Sequence, residues 1–144
     1  MRALTALPAR WTAPECLRLH SFSAASDVYS LGVTLWEMAS GGALPYAHVR
    51  DNLQVIAGLL LGELSLTAPP PPDGLSPEEA QAAQAGQAVL MEFVSRMTSP
   101  LPQRPSLSQI RLEMQAWLDR EQAREEERQR EDMQRHLQQA VHAL

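Results

Sequence analysis

The segment LPARWTAPECL, residues 7–17, contains two prolines and, close together, a tryptophan, an arginine and a glutamate. Because proline restricts the backbone, residues 1–14 are expected to form an extended loop. Proline is tolerated in the first turn of a helix, so Pro14 predicts that a short helix begins there and runs over ECLRLH. This loop and helix lead into a long apolar segment.

The apolar segment SAASDVYSLGVTLWEMASGG, residues 23–42, predicts a helix that is buried on every side. Ser26 or Asp27 is a suitable N-cap residue, and the Gly-Gly pair is a suitable end. The apolar residues between them fall on all sides of a helix, which is typical of a helix at the centre of a domain. Gly32 weakens the helix, and we expect another backbone to approach closely at that point.

Three further helices are predicted after a loop over residues 43–52. Residues 53–61 form a short amphipathic helix, and the SPEE sequence at Ser76 forms a capping box that opens a helix to about residue 97. Four prolines at residues 69–72 predict a stiff spacer, with an SH3-type ligand as the alternative. Ser106 or Ser108 caps a last helix that continues to the C-terminus. The predicted fold class is therefore all-α.

The last predicted helix changes character along its length. A core-facing stripe at steps of three and four residues comes first: Leu107, Ile110, Met114 and Trp117. Residues 119–135 are almost wholly charged or Gln, with Glu126 and Arg130 as a favourable pair. A second stripe follows: Met133, Leu137, Ala140, Val141 and Leu144. This stripe packs on the domain or on a partner, as in a coiled coil, or belongs to a solvated helix. We expect residues 1–118 to form one domain and residues 119–144 a charged helical extension.

Composition excludes several classes of function. The net charge of -5 argues against a general nucleic-acid-binding protein. All 12 basic residues are arginine, so no lysine is present for Schiff-base or phosphate-binding chemistry. The single cysteine excludes an intrachain disulfide, and the four scattered histidines have no metal-ligand pattern. We therefore expect no metal site, and no run of residues is apolar for long enough to span a bilayer.

Three motifs in the right order resemble the C-terminal lobe of protein kinases, most closely in the tyrosine-kinase branch. LPARWTAPECL resembles the end of the activation segment, and SDVYSLGVTLWEM resembles the start of the central helix of that lobe. FVSRMTSPLPQRPSLSQI resembles the penultimate helix and the Arg-Pro motif. The resemblance extends from about residue 6 to residue 117, and the fold it implies is a partial, helical kinase C-lobe.

The resemblance implies a structural role for one pair of charged residues. In the family, the carboxylate of the Ala-Pro-Glu motif pairs with a buried arginine of the Arg-Pro motif, which here implies a pair between Glu15 and Arg104. Arginine offers a planar fork that suits a desolvated carboxylate. Asp27 resembles the residue that holds the catalytic loop through its backbone N–H groups, and a simple N-cap is its alternative role.

The resemblance also implies a place where a substrate lies. Leu7, Pro8, Arg10 and Trp11 are similar to the shelf on which the residues flanking a substrate tyrosine rest. A backbone that proline holds extended suits peptide docking. The alternative for Trp11 is a core aromatic residue, and one side chain can serve both roles.

The parts of a kinase that carry out phosphoryl transfer are absent from the sequence. It has no Gly-rich loop, no lysine, no His-Arg-Asp and no Asp-Phe-Gly. ATP and Mg²⁺ are thus implied for a complete family member but not for this chain, which we expect to be catalytically incompetent alone. Two interpretations remain: a fragment of a protein tyrosine kinase, with Met1 internal to it, or a kinase-derived, pseudokinase-like interaction module. Either implies protein partners, the rest of a kinase domain among them, and a cytoplasmic location.

Overall fold

The computed structural model describes residues 8–70 and 73–142, and it is helical without a strand in these ranges. The chain divides into two compact units, Met1–Leu107 and Ser108–Leu144. The first unit contains α1 (Pro14–Leu19), α2 (Ala24–Ala39), α3 (Asn52–Leu61), α4 (Pro77–Met97) and a 3₁₀ turn (Leu101–Gln103). A single helix, α5 (Leu107–His142), accounts for the described part of the second. The expected all-α class is confirmed.

Helix α2 begins earlier than the sequence predicted. Its N-cap is Ser23, whose hydroxyl accepts a hydrogen bond from the Ser26 backbone N–H, while the Ser26 hydroxyl accepts one from the Ser23 N–H at 2.8 Å. This reciprocal box satisfies the free N–H groups of the first turn. The prediction of Ser26 or Asp27 as N-cap is therefore wrong, and Asp27 is an exposed residue within the first turns of the helix.

Burial of α2 is one-sided. Val28, Tyr29 and Val33 are buried, whereas Leu31 is 38% exposed and Met38 71% exposed. The prediction of burial on every side is wrong for this chain, because the elements of the first unit that pack on α2, chiefly α4, leave one face open. Apolar side chains stabilise a fold only when they are removed from water, so those on the open face of α2 contribute little to its stability.

The close approach expected at Gly32 is confirmed, and α4 is the element that makes it. A Cβ atom at Gly32 would lie 2.8 Å from the Cβ of Met97 and 3.2 Å from a methyl of Thr98. Helix α4 begins as predicted, since the Ser76 hydroxyl and the Glu79 carboxylate cap each other's backbone N–H groups. The contact between α2 and the end of α4 is thus fixed by a residue without a side chain.

Helices α1 and α3 pack together in the first unit. Asp51 caps α3 by accepting from the Leu53 N–H at 3.0 Å. A buried cluster joins the two helices to the preceding loop: Leu17, Tyr46, Val55 and Leu59. The predicted short helices at Pro14 and at residues 53–61 are both confirmed to within a residue or two.

Apart from its first residue, Leu107, helix α5 belongs to the second unit. Its charged part carries ion pairs in which the acid precedes the arginine, including Glu121 with Arg124 at 2.6 Å and Glu126 with Arg130 at 4.0 Å. This order suits the helix dipole. The second apolar stripe is exposed at Met133, Leu137 and Val141, and Leu144 lies outside the described residues. In the described ranges, no helix combines the length and the apolar character needed to cross a membrane.

Candidate functional site

The segment that precedes α1 is a pair of turns, so the expectation of an extended loop is wrong over residues 8–12. The Trp11 N–H donates to the Pro8 carbonyl at 2.9 Å, and the Thr12 hydroxyl donates to the same oxygen at 3.0 Å. These bonds make Pro8 the start of a compact corner. Leu7, the first residue of the predicted shelf, lies outside the described residues.

Trp11 is held to α2 by two polar contacts. Its indole N–H donates to a carboxylate oxygen of Glu37 at 2.9 Å, and its carbonyl accepts from the Ser30 hydroxyl at 2.8 Å. The half-buried ring packs on the core cluster that includes Tyr29 and Val33. An indole fixed at its polar atom keeps the rest of its surface in a defined position.

Arg10 is turned into the protein. Only 5% of the residue is exposed, and its guanidinium donates to the carbonyls of Pro45, Tyr46 and Val49 at 2.7 to 2.8 Å and to the Asn52 side-chain oxygen at 3.0 Å. The carbonyl dipoles compensate a charge that has lost its water. The side chain therefore ties the turn to the loop between α2 and α3 and leaves no guanidinium surface for a peptide.

Tyr46 lies in the loop that Arg10 holds and has a left-handed backbone, with φ of 56°. Such a conformation is costly for a bulky residue and persists where its surroundings fix it. The hydroxyl of Tyr46 lies 3.4 Å from that of Tyr29. Burial raises the pKa of both hydroxyls, so both are neutral at pH 7.

Glu15 and Arg104 form a two-pronged ion pair. One guanidinium nitrogen lies 2.5 Å from one carboxylate oxygen and the other nitrogen 3.2 Å from the second. Arg104 also donates to the carbonyls of Ala25 and Ser99 and lies 5.1 Å from the centre of the Tyr29 ring. Its side chain is 1% exposed and that of Glu15 is 15% exposed. The pair thus ties α1 to the segment after α4.

The pKa of Glu15 reflects two opposing effects. Partial burial acts to raise the pKa, but the hydrogen bonds and the positive charge of Arg104 outweigh it and lower the pKa below its usual value. Glu15 is therefore ionised at neutral pH, and the pair stays charged on both sides.

The sequence missed three of these contacts. The Pro8–Thr12 turn is held by Glu37 and Ser30 at Trp11 and by the Tyr46 carbonyl at Arg10. No local sequence pattern marks these three residues. The partners of Trp11 and Arg10 lie 19 to 42 residues away in the chain, so local sequence gives no sign of these contacts. Asp27 is not brought to any of these residues by a hydrogen bond within the described ranges.

The residues of this site do not fit an ATP or metal site. Among residues 8–70 and 73–142, no group of three His, Cys, Asp or Glu is placed to hold a metal ion. The chain has no lysine to contact phosphates. No step of a reaction is therefore assigned to residues of this chain.

Comparisons with known proteins identify the family of the chain. The model of the family described as "Protein tyrosine and serine/threonine kinase" matches residues 1–75, which is half of the chain. The chain belongs to this kinase family.

Individual kinase relatives match along much of the chain. Inactive tyrosine-protein kinase 7 of Gallus gallus is 35% identical over 105 residues, and these cover 72% of the chain and 9% of that protein. Non-receptor tyrosine-protein kinase TNK1 of Mus musculus is 38% identical over 78% of the chain and 15% of its own length. Ephrin type-B receptor 4a of Danio rerio is 43% identical over 46% of the chain and 6% of its own length. The chain therefore spans a small part of each of these kinase relatives, and together with the helical fold this confirms a partial kinase C-lobe.

Proposed function

We propose that this chain is the substrate-docking half of a tyrosine-kinase C-lobe. In a complete domain, which supplies ATP and Mg²⁺ binding, Leu7, Pro8 and Trp11 form a shelf for the residues that flank a substrate tyrosine. The fixing of Trp11 by Glu37 and Ser30 carries this proposal, because a docking surface needs a defined position. Arg10, which the resemblance places on the shelf, holds the shelf in place through its bonds to the loop between α2 and α3.

The remainder of a kinase domain is the partner that this proposal requires. The open face of α2 carries the exposed residues Leu31 and Met38, and Asp27 lies on the same helix near its N-terminus. An apolar face of this kind is stabilised when another element covers it. In our proposal the catalytic loop of the complete domain packs there and donates its backbone N–H groups to the Asp27 carboxylate. We place the complete domain in the cytoplasm.

A chimera tests the docking role. Residues 7–118 replace the corresponding segment in the kinase domain of an ephrin type-B receptor 4, and phosphate transfer to a copolymer of glutamate and tyrosine is measured. The chimera should transfer phosphate. Trp11→Ala should raise the KM for the copolymer about tenfold, which corresponds to about 1.4 kcal/mol of lost binding, and leave the KM for ATP unchanged. Trp117→Ala is the matched control and should change neither.

Two results would reject the proposal. If the KM of a folded chimera for the copolymer does not respond to Trp11→Ala, the shelf is refuted. If the purified 144-residue chain alone transfers phosphate, the prediction that it is catalytically incompetent is refuted. Rescue by Trp11→Phe of the KM for the copolymer would show that ring packing, and not the bond to Glu37, supports the shelf.

A second candidate function is an interaction module without catalysis. The similarity to a relative named as an inactive kinase, which covers 72% of the chain, favours it. This function predicts that the purified 144-residue chain, without any receptor segment, binds the copolymer with the same dependence on Trp11 and transfers no phosphate. The two candidates are thus separated by the same set of variants.

A further inference from the structure

A groove with a volume of 610 Å³ lies in the first unit. Its walls are α1, the end of α3 and the segment from Thr98 to Arg104. None of the Pro8–Thr12 residues lines it, and neither candidate function uses it. We call it the α1–α3 groove.

The rim of the α1–α3 groove is apolar and exposed. Leu19 is 68% exposed, Leu61 70% and Leu101 46%. Helix α3, which forms one wall, contains no charged residue from Asn52 to Leu61. Concave, mostly apolar surfaces with a few placed polar groups commonly bind a ligand or partner.

One charge in the groove has no counter-charge. Glu15 and Arg104 line it as an ion pair and neutralise each other. Arg18 is exposed and donates to the Leu60 carbonyl at 3.2 Å, and within the described ranges no carboxylate bonds to it. An apolar groove with one available guanidinium at its wall is complementary to an apolar side chain beside a carboxylate.

We propose that the α1–α3 groove binds an acidic, amphipathic peptide segment of a partner protein. Leucine-sized side chains of the segment fill the space between Leu19, Leu61 and Leu101, and a neighbouring carboxylate pairs with Arg18. This is the pattern of a helix bound in a groove, with apolar anchors on one face and a charged flank. A two-fold dimer through the groove is disfavoured, because it would bring two Arg18 guanidinium groups into one interface.

A defined peptide tests the proposal on the full 144-residue chain. The probe is a short fluorescein-labelled helical peptide with leucines on one face and glutamates on the other, and its binding is measured by fluorescence anisotropy. The proposal predicts saturable binding. Exchange of the glutamates for lysines, or of the leucines for serines, should weaken binding about tenfold or more.

Matched variants locate the binding site. Leu61→Ser and Leu53→Ser alter two leucines of α3 with similar exposure, 70% and 66%, but only Leu61 lines the groove. Leu61→Ser and Arg18→Glu should each weaken binding about tenfold, whereas Leu53→Ser and Arg120→Glu should leave it unchanged. Leu101→Ser is a second groove variant if Leu61→Ser fails to fold, as judged by its thermal melt.

The remaining outcomes overturn the proposal. Absence of saturable binding, equal effects of Leu61→Ser and Leu53→Ser, or equal affinity for the lysine peptide would each reject it. Sedimentation velocity on the chain alone tests whether a second copy of the chain occupies the groove. If the chain forms a concentration-dependent dimer that Leu61→Ser abolishes, the groove holds a second copy and not a partner peptide.

Discussion

Replacement of Glu15 by glutamine tests how strongly the ion pair with Arg104 stabilises the first unit. Glutamine keeps the shape and one acceptor but removes the charge and places an amide N–H₂ group against the guanidinium. The structure shows two N–H···O bonds, of 2.5 and 3.2 Å, and an arginine side chain that is 1% exposed. One charge-assisted bond is worth about 1.5–3 kcal/mol, and a buried charge that loses its partner costs about 3–5 kcal/mol. We expect Glu15→Gln to lower the free energy of unfolding by about 3 kcal/mol.

The assay is urea denaturation followed by tryptophan fluorescence, at pH 7 and at pH 4. With a slope of about 1.5 kcal/mol per molar urea, the midpoint should fall by about 2 M at pH 7. Because the pKa of Glu15 is lowered in the fold, the ionised pair stabilises fully above the unfolded-state pKa and is lost as the pH falls through the folded one. The difference between wild type and variant should therefore shrink at acidic pH.

The control is Glu63→Gln, an exposed glutamate in the same unit. It should change the free energy of unfolding by less than about 0.5 kcal/mol. If Glu15→Gln and Glu63→Gln have the same effect, or if Glu15→Gln destabilises as much at low pH as at pH 7, the assignment of a stabilising buried pair is refuted.

Three further predictions use the same unfolding measurement or hydrogen exchange. Gly32→Ala should destabilise the protein by about 1–3 kcal/mol, because its Cβ would lie 2.8 Å from an α4 side-chain atom. Gly86→Ala should stabilise it by about 0.5–1 kcal/mol, since nothing lies within 4 Å of the added Cβ. Effects of the same sign would contradict the packing argument. Arg10→Lys should speed amide exchange in residues 45–52, because an ammonium lacks the planar fork that reaches several carbonyls; unchanged exchange would contradict the clamp. Raising NaCl from about 0.01 to 1 M should speed exchange in residues 119–135, where exposed ion pairs of about 0.3–0.5 kcal/mol each support the helix, and protection that does not depend on salt would contradict this.

Local sequence signals were sufficient for the helices and insufficient for the site. Pro14, the Ser76 capping box and the Gly-Gly pair act through neighbouring atoms, so their helix ends were predictable. The start of α2 was not, because two serines competed with Asp27 for the cap and only the backbone geometry decides between them. The apolar pattern of α2 asks for cover on every side, but the pattern by itself does not tell which elements supply that cover.

Long-range polar contacts join the motif at residues 7–17 to three other parts of the first unit. Arg10, Trp11 and Glu15 each bond to a different element: the loop after α2, α2 itself and the segment after α4. The bonded partners are separated by 35, 26 and 89 residues in the chain. Arg10 and Trp11 fix two parts of the turn between Pro8 and Thr12, and Glu15 fixes the start of α1 that follows it, so the turn has little freedom to move. It follows that substitutions at Arg10 and Glu15 should affect docking through the position of Trp11, and that the shelf and its supports are best tested as one unit in double-variant cycles.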